Sequence, residues 1–408
     1  MRAFLLAAGA GNRMRPLTSN RPKPLLPVAG KPFLQHILER VRSSGIEAAT
    51  ILIGWRGRRL KEYFRHGDSL GLPLDYAEQE VLEGTGAAVA LAEGHVDSRF
   101  LCLNGDIIFH VKDLQEMIRR HGRGDSTVIA VAKTERPESF GSVQVKDERL
   151  VSIEEKPTKA ASPWVNAGIY LLNDTIFDLI RKTPRSPRGE YEITDTLKLL
   201  LKKEDTLVHR LKRPWLDVGY PWDLLKANEV LLESLKGQVE GDVEEDAVLR
   251  GPVKVAKGAT VRSGAYLEGP VYLDEGSDVG PNCYIRPSTY IGKGCRVGNA
   301  CEVKNSIIMR KSHIPHQNYV GDSIVGVGCN FGSGTKVANQ RLDGGTISVM
   351  VKGRRIDTGL RKLGAIMGDR VKTGINVSID VGTIIGEDTS IGPGAEVRGN
   401  VAPGSRIY

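Results

Sequence analysis

The chain has 408 residues, enough for two or three domains with sizeable cores. Its 40% hydrophobic and 26% charged residues exclude a disordered or collagen-like chain, and no apolar run approaches the roughly 18 residues of a membrane span, which excludes integral membrane function. The net charge of +8 is unevenly placed: Arg2, Arg13, Arg15, Arg21, Lys23 and Lys31 all precede the first acidic residue, Glu39, so the N-terminal segment presents an unopposed positive field suited to phosphates. The basic residues cluster near glycines and are not interleaved with aromatics, which argues against nucleic acid as the partner. Five cysteines without a C-x-x-C pair show neither disulfide nor zinc spacing and fit a reducing cytoplasm.

Met1-Arg2 and the apolar residues that follow superficially resemble a signal peptide. The stretch is short, Arg13 and Arg15 follow at once, and it reads instead as a first strand through Phe4-Leu5-Leu6. Up to about residue 222, short apolar runs alternate with amphipathic stretches, the pattern of strands joined by crossover helices in a Rossmann-like, mostly parallel α/β sheet. Leu34, Ile37, Leu38 and Val41 mark a helical face that stops at Gly45, before a strand at Thr50 to Ile53. Further strands are expected at Leu74 to Gln79, Phe100 to Leu103, Thr127 to Ala132 and Ile169 to Leu172, and a helix at Trp222 to Leu235.

From Val243 the period becomes six. Val243, Leu249, Val255, Val261, Leu267, Leu273, Val279, Ile285, Ile291, Val297, Val303 and Met309 follow without a slip, and Ile379, Ile385, Ile391 and Val397 resume the register. At the roughly 30% frequency of such residues, this run lies far outside chance. A hexapeptide period is the mark of a parallel β-helix, each unit one short strand with its aliphatic residue inward. Glycines and other small residues make the corners. Residues 310 to 375 break the register, and there a loop-bearing coil or an insertion is expected. The division is 1–222 for the α/β domain, 223–240 for a linker helix and 241–408 for the β-helix.

The strongest local signal is residues 5 to 32. Gly9 and Gly11 follow a strand and precede a basic loop, so backbone N–H groups can approach phosphate oxygens without Cβ obstruction. Met14 occupies the place of the third glycine of a dinucleotide fingerprint, and no GK[ST] follows. What remains is a glycine turn with Arg13 and Lys23 as charged arms. Gly9, Gly11 and Arg13 followed by Pro22-Lys23-Pro24 resemble the loop of the sugar-1-phosphate nucleotidylyltransferases.

That resemblance extends in order over the first 220 residues. It implies that Gln79, Gly84 and Thr85 read a pyrimidine base, with UTP or dTTP favoured as the nucleoside triphosphate. Asp106 of Asn104-Gly105-Asp106 and Asp217 of the Trp215 to Gly219 segment would share a Mg²⁺ ion, a hard cation that takes oxygen ligands. Either aspartate alone reads as a strand-end turn residue; behind this loop the two together read as a metal pair. Glu155, Lys156, Asn166 and Gly168 resemble the wall that holds the sugar 1-phosphate, which would be N-acetylglucosamine-1-phosphate or glucose-1-phosphate. Arg188-Gly189-Glu190 reads either as a second clamp or as a solvated loop.

The C-terminal half is similar to the bifunctional members of the family that make UDP-N-acetylglucosamine, in which a left-handed β-helix is itself an acetyltransferase. The resemblance rests on Arg286-Pro287, Glu302-x-Lys304, His316 to Asp322 and Asn330 to Thr335. It implies acetyl-CoA as cosubstrate, His316 as general base toward a sugar amine, Arg286 and Lys304 on the sugar phosphate, and Tyr319 and Asn330 on the sugar. It also implies a cytoplasmic homotrimer. One departure stands out, because after the turn at Asn330 to Thr335 the family supplies lysines from a following loop, whereas here Asn339 to Gly345 contains none and the next is Lys352. Arg341, the cluster Lys352, Arg354, Arg355, Arg361 and Lys362, or a different sugar acceptor are the open alternatives. That cluster reads equally as a solvated hairpin or as a seat for the coenzyme A diphosphate. Two rivals remain: a single-activity glucose-1-phosphate thymidylyl- or uridylyltransferase, or mannose-1-phosphate guanylyltransferase, with a structural β-helix; and a non-enzymatic scaffold like the translation exchange-factor subunits. Retention of Arg13, Lys23, Asp106 and Asp217 together argues against the scaffold.

Overall fold

The computed structural model describes residues 1–122 and 124–408. The chain divides into two compact units, Met1–Ala10 with Phe33–Asp217, and Gly11–Pro32 with Val218–Tyr408.

The first unit is built on a nine-stranded mixed sheet. Its parallel part takes Leu74–Glu78, Ala48–Ile53, Arg2–Leu6 and Arg99–Asn104 in that spatial order. These strands read as continuous apolar runs because both faces are covered: Phe4, Leu52 and Cys102 are buried on one side and Leu5, Ile51 and Leu101, one residue out of phase, on the other. The helices Thr85–Ala90, Thr175–Ile180 and Ile193–Leu200 pack on the first of these faces through Val89, Phe177 and Leu197. The helix Phe33–Ser43 buries the four aliphatic residues that the sequence pattern marked, and Gly45 follows it at φ 86°. Trp164–Asn173 then runs antiparallel to Arg99–Asn104, and the rest of the sheet mixes directions.

The second unit is dominated by a parallel β-helix. Its short strands stack into three faces, in which Val255, Leu273 and Ile291, for example, lie one above another on successive coils. From Val255 to Val303 every residue of the six-fold register is fully buried, as are Ile379 and Ile385, in one continuous apolar column. The helix Asp223–Leu232 belongs to this unit.

Two details correct the expected register. Leu273 pairs with Ile291 eighteen residues on, but Ile291 pairs with Ile308, seventeen on. Ile308 therefore fills the column where period six places Met309. The missing residue comes out of the corner Lys304 to Ser306, where the Ser306 hydroxyl donates to the Lys304 carbonyl and accepts from the Ser323 N–H, replacing part of a longer corner's backbone bonding. The coils also continue through the stretch read as a break: Ile314, Val320, Val325, Phe331 and Val337 are all buried in the column. The insertion is confined to the residues between Val337 and Ala365 and carries the exposed hairpin Ser348–Val351 and Arg354–Asp357.

Candidate active site

In open α/β sheets, ligands bind beyond the carboxyl ends of the strands. Three of the expected residues lie there by construction: Gly9 follows Arg2–Leu6, Gln79 follows Leu74–Glu78, and Asp106 follows Arg99–Asn104. Because Trp164–Asn173 runs the other way, with Ile169 opposite Leu103, Asn166 and Gly168 arrive at the same sheet edge. The approach is close. A Cβ on Gly54 would lie 2.6 Å from the Ala8 carbonyl, one on Gly105 2.7 Å from that of Leu6, and one on Gly168 2.4 Å from the Asn104 amide nitrogen. Gln79 is buried and lines a cavity of about 700 Å³ with Ala10, Trp55, Arg58 and Leu82.

The two aspartates are brought together by a two-stranded ladder, in which Asp217 stands opposite Ile107, the residue after Asp106. Both are half-buried. The Trp215 indole N–H fixes the approach to this ladder by donating to the Ala167 carbonyl at 3.0 Å, and its ring meets Phe140 edge-on. Among the described residues no group of three or more His, Cys, Asp or Glu side chains assembles for a metal. The donor set fits a hard cation that takes two protein carboxylates and fills its other positions with phosphate oxygens and water.

Gly84 adopts φ 107°, and a Cβ there would lie 2.5 Å from the Tyr191 carbonyl. The backbone around it pairs with that strip through Gly86 N–H to Tyr191 O and Tyr191 N–H to Glu83 O, both 2.7 Å. The Thr85 hydroxyl accepts from the Ile193 N–H and donates to Glu192. Glu192 is 3% exposed, and burial raises its carboxyl above the ordinary range, offset in part by Arg188. Arg188 stands 2.5 Å from Glu192 and 3.4 Å from Glu155, and Lys156 is 3.8 Å from Glu155. Arg188 thus links Thr85, through Glu192, to Glu155, two residues expected to face the base and the sugar phosphate; Glu192 itself is a residue that sequence reading missed because nothing in its local spacing marks it as buried. Asn166 donates to the Tyr170 hydroxyl at 2.6 Å and accepts from the Gly168 N–H.

The glycine loop belongs to the second unit from Gly11 onward. Gly11 sits at φ 63°, its carbonyl accepting from the Met14 N–H and the Thr18 hydroxyl, both at 2.8 Å. Arg13 is exposed, and its guanidinium lies 5.2 Å over the Tyr220 ring, which stacks on Trp222. The carboxylate of the half-buried Asp223 accepts from the Gly219 and Tyr220 N–H groups. Burial pushes its pKa up to about 6 against those bonds and the charges of Lys23 and Arg13.

On the β-helix, Arg286 and Lys304 lie in line on successive coils, since Ile285 pairs with Val303. Arg286 donates to Glu302 at 2.8 Å. Lys304 is 3.1 Å from Asp322, which also accepts from Asn305 at 2.7 Å and from Asn339 at 2.5 Å. Asn339 reaches the Tyr319 hydroxyl as well, at 3.2 Å. Lys304, Tyr319, Asp322 and Asn339 therefore form one cluster. Asn330 lies outside it, on another face, bridging His313 and Lys372. Asn339 and Asp322 were given no role from the sequence; the loop that begins at Asn339 and the motif that ends at Asp322 were the available signals. His316 ends the strand His313–His316, exposed, around the corner from Tyr319. Arg341 is paired with Asp343, and Lys352, Arg354 and Arg355 stand exposed on the inserted hairpin.

All five thiols are unpaired and buried, and burial raises the pKa of each. Among the described residues, no helix is long and apolar enough to cross a membrane.

The nucleotidyl transferase family matches residues 2–234, and the family described as GMPPB C-terminal domain matches residues 267–373. The bifunctional protein GlmU of Methanocaldococcus jannaschii is 42% identical over 100% of this chain and 97% of its own length. The bifunctional sugar-1-phosphate nucleotidylyltransferase/acetyltransferase of Sulfurisphaera tokodaii is 39% identical over 99% of both. Among solved structures, a Bacillus anthracis protein described as a glucose-1-phosphate thymidylyltransferase, with sucrose bound, superposes with a TM-score of 0.54 at 27% identity, over 58% of this chain and 97% of that one.

Proposed function

The chain belongs to the nucleotidyl transferase family and, along its whole length, to the bifunctional sugar-1-phosphate nucleotidylyltransferase/acetyltransferases; from that premise we propose how its residues divide the two reactions. The N-terminal reaction transfers a nucleotidyl group from a nucleoside triphosphate to a sugar 1-phosphate and releases pyrophosphate. The C-terminal reaction acetylates an amino-sugar phosphate from acetyl-CoA. The observation that carries the first assignment is the convergence of Gly9, Gln79, Asp106, Asn166 and Gly168 at one sheet edge, with Asp217 laddered beside Asp106.

A sugar phosphate is largely ionised at neutral pH, its second pKa being about 6, so the reaction needs no general base. Its oxygen attacks the α-phosphorus, the bond to the pyrophosphate oxygen breaks, and pyrophosphate leaves with the electron pair. The work of the protein is positioning and charge neutralisation. Gln79, Gly84 and Thr85 hold the base, with UTP or dTTP favoured; Gly9 and Gly11 leave room for phosphate oxygens; Arg13 and Lys23 offset the growing charge. Glu155, Asn166 and Gly168 orient the sugar, and Lys156 pairs with its phosphate. Asp106 and Asp217 would hold Mg²⁺. Held there, it would supply Lewis-acid charge withdrawal from the phosphates.

For acetyl transfer, His316 takes the proton as the glucosamine-1-phosphate nitrogen attacks the thioester carbonyl; the C–S bond breaks and coenzyme A leaves as its thiol. Arg286 and Lys304 take the sugar phosphate and Tyr319, with Asn339 beside it, the sugar; Asn330, on another face of the coil, is left out of this set. The second reading of this half is a coil that serves assembly only. One experiment separates the readings. Purified protein is given glucosamine-1-phosphate or N-acetylglucosamine-1-phosphate, acetyl-CoA, Mg²⁺ and each nucleoside triphosphate in turn, with pyrophosphate and thiol measured separately. Both products are expected; thiol absent with pyrophosphate present leaves the single-activity enzyme. We further infer a cytoplasmic homotrimer, for which the buried, unpaired thiols and the flat coil faces are the support. A monomer in sedimentation would overturn the assembly.

A further inference from the structure

The glycine loop is tethered on either side of Lys23, at residue 21 and at residues 29 and 30. At residue 21 the guanidinium of Arg21 forms an ion pair with Asp369 at 2.5 Å and donates to the Met309 sulfur at 3.2 Å. Both partners are buried, with side chains 10% and 7% exposed. Asp369 is itself fixed, because its second oxygen accepts from the Val327 N–H at 2.9 Å. At residues 29 and 30 the chain is held again. The Ala29 N–H donates to Asn228, whose amide nitrogen donates to the Ser288 carbonyl, and Gly30 lies so close to Tyr272 that a Cβ would fall 1.7 Å from its ring. Every anchor, Met309, Asp369, Asn228, Ser288 and Tyr272, lies in the β-helix or in the helix that leads to it.

A buried guanidinium is costly to desolvate and is retained where its partner is fixed in place. Here the fixed partner sits on a coil some 350 residues away in sequence, and the corner shifted by the seventeen-residue spacing turns Met309 outward to meet the same guanidinium. We propose that Arg21 is a positioning residue for nucleotidyl transfer: its buried pair with Asp369 makes the placement of Lys23 and Arg13 depend on the β-helix, so that the coil is part of the machinery of the first reaction. This rests on the reading of Arg13 and Lys23 as phosphate arms.

The test uses the full-length protein below its unfolding transition, with Arg21→Met, Arg21→Lys, Asp369→Asn and the double variant Arg21→Met/Asp369→Asn, folding being checked by circular dichroism. Misplacing a binding group by about 1 Å costs up to roughly 100-fold in rate. Arg21→Met and Asp369→Asn are each expected to lower nucleotidyl kcat/KM by about 10- to 100-fold, raising KM for the nucleoside triphosphate while KM for the sugar phosphate stays within about twofold. The double variant loses no more than the worse single one, and Arg21→Lys recovers most of the loss. Asp369→Asn keeps the side-chain shape and decides the matter if Arg21→Met does not fold. Activity within twofold of the parent in the folded single variants, or loss that follows only the amount of folded protein, overturns the proposal. Arg13→Ala and Lys23→Ala are measured alongside: if they too are silent, the reading of the loop itself fails; if they are inactive while Arg21→Met is normal, only the role of Arg21 falls.

Discussion

Replacing Asp322 by alanine probes the β-helix cluster at its centre. The carboxylate is 4% exposed and accepts from three side chains, Lys304, Asn305 and Asn339. At 3.1 Å and an effective dielectric near 20, its attraction for the Lys304 ammonium is about 5 kcal/mol before desolvation is counted. Removing one partner of such a pair leaves the other buried and uncompensated, at a cost of about 3–5 kcal/mol. For a domain of this size that is a fall of roughly 6–20 °C in the unfolding midpoint of the β-helix. Thermal unfolding followed by circular dichroism reads the stability. Thiol release from acetyl-CoA, measured below the transition, reads the effect on Lys304, Tyr319 and Asn339, and should fall at least tenfold. Asp322→Asn keeps the shape and one acceptor and should lose less on both counts. A midpoint for Asp322→Ala within about 2 °C of the parent, together with unchanged thiol release, would refute the claim that this carboxylate organises the cluster.

Three further outcomes follow from the geometry. Gly168→Ala places a Cβ 2.4 Å from the Asn104 amide at φ 70°, a strain of about 1–2 kcal/mol, and displaces the residue two before Asp106, so nucleotidyl turnover should fall at least tenfold in a folded protein. The Asp223 carboxyl has a folded pKa of about 6, above the unfolded value of about 3.9, so it favours folding fully below pH 4 and loses that contribution, about 3 kcal/mol, as pH rises to 6. Denaturant unfolding of the parent and of Asp223→Asn at pH 4 to 8 should show their stability difference shifting in favour of the variant across that window, and a difference independent of pH contradicts the assignment. His316→Ala should reduce thiol release by about 10²- to 10⁴-fold and leave pyrophosphate release unchanged.

Much of this was legible in the sequence because the constraints were one-dimensional. A narrow β-helix admits one aliphatic residue per short strand, so its period survives in the chain, and parallel strands buried on both faces leave apolar runs such as Phe100 to Leu103. Gly9, Gln79 and Asp106 stand where such runs stop, and it was the family resemblance that singled out Gln79 and Asp106 there. Other features depend on hydrogen bonds that spacing does not encode. The corner at Lys304 is one residue short because Ser306 and Ser323 take over backbone bonding, and since Ile308 and Met309 are both apolar, the slip is silent. Nor does the local sequence separate Asn330 from Asn339; only the coil's path puts the second beside Tyr319 and the first on another face. The attachment of residues 11–32 to the β-helix rests on Arg21 finding Asp369, a pairing at a separation that pattern reading cannot reach.

The most direct test of the central claim is Mg²⁺-dependent pyrophosphate release by Asp106→Asn and Asp217→Asn, each confirmed folded by circular dichroism. If the two carboxylates share the metal on which nucleotidyl transfer depends, each variant loses about 100-fold or more of kcat/KM, while thiol release by the same preparation continues. Near-parental, Mg²⁺-dependent release of pyrophosphate from either variant would contradict the account.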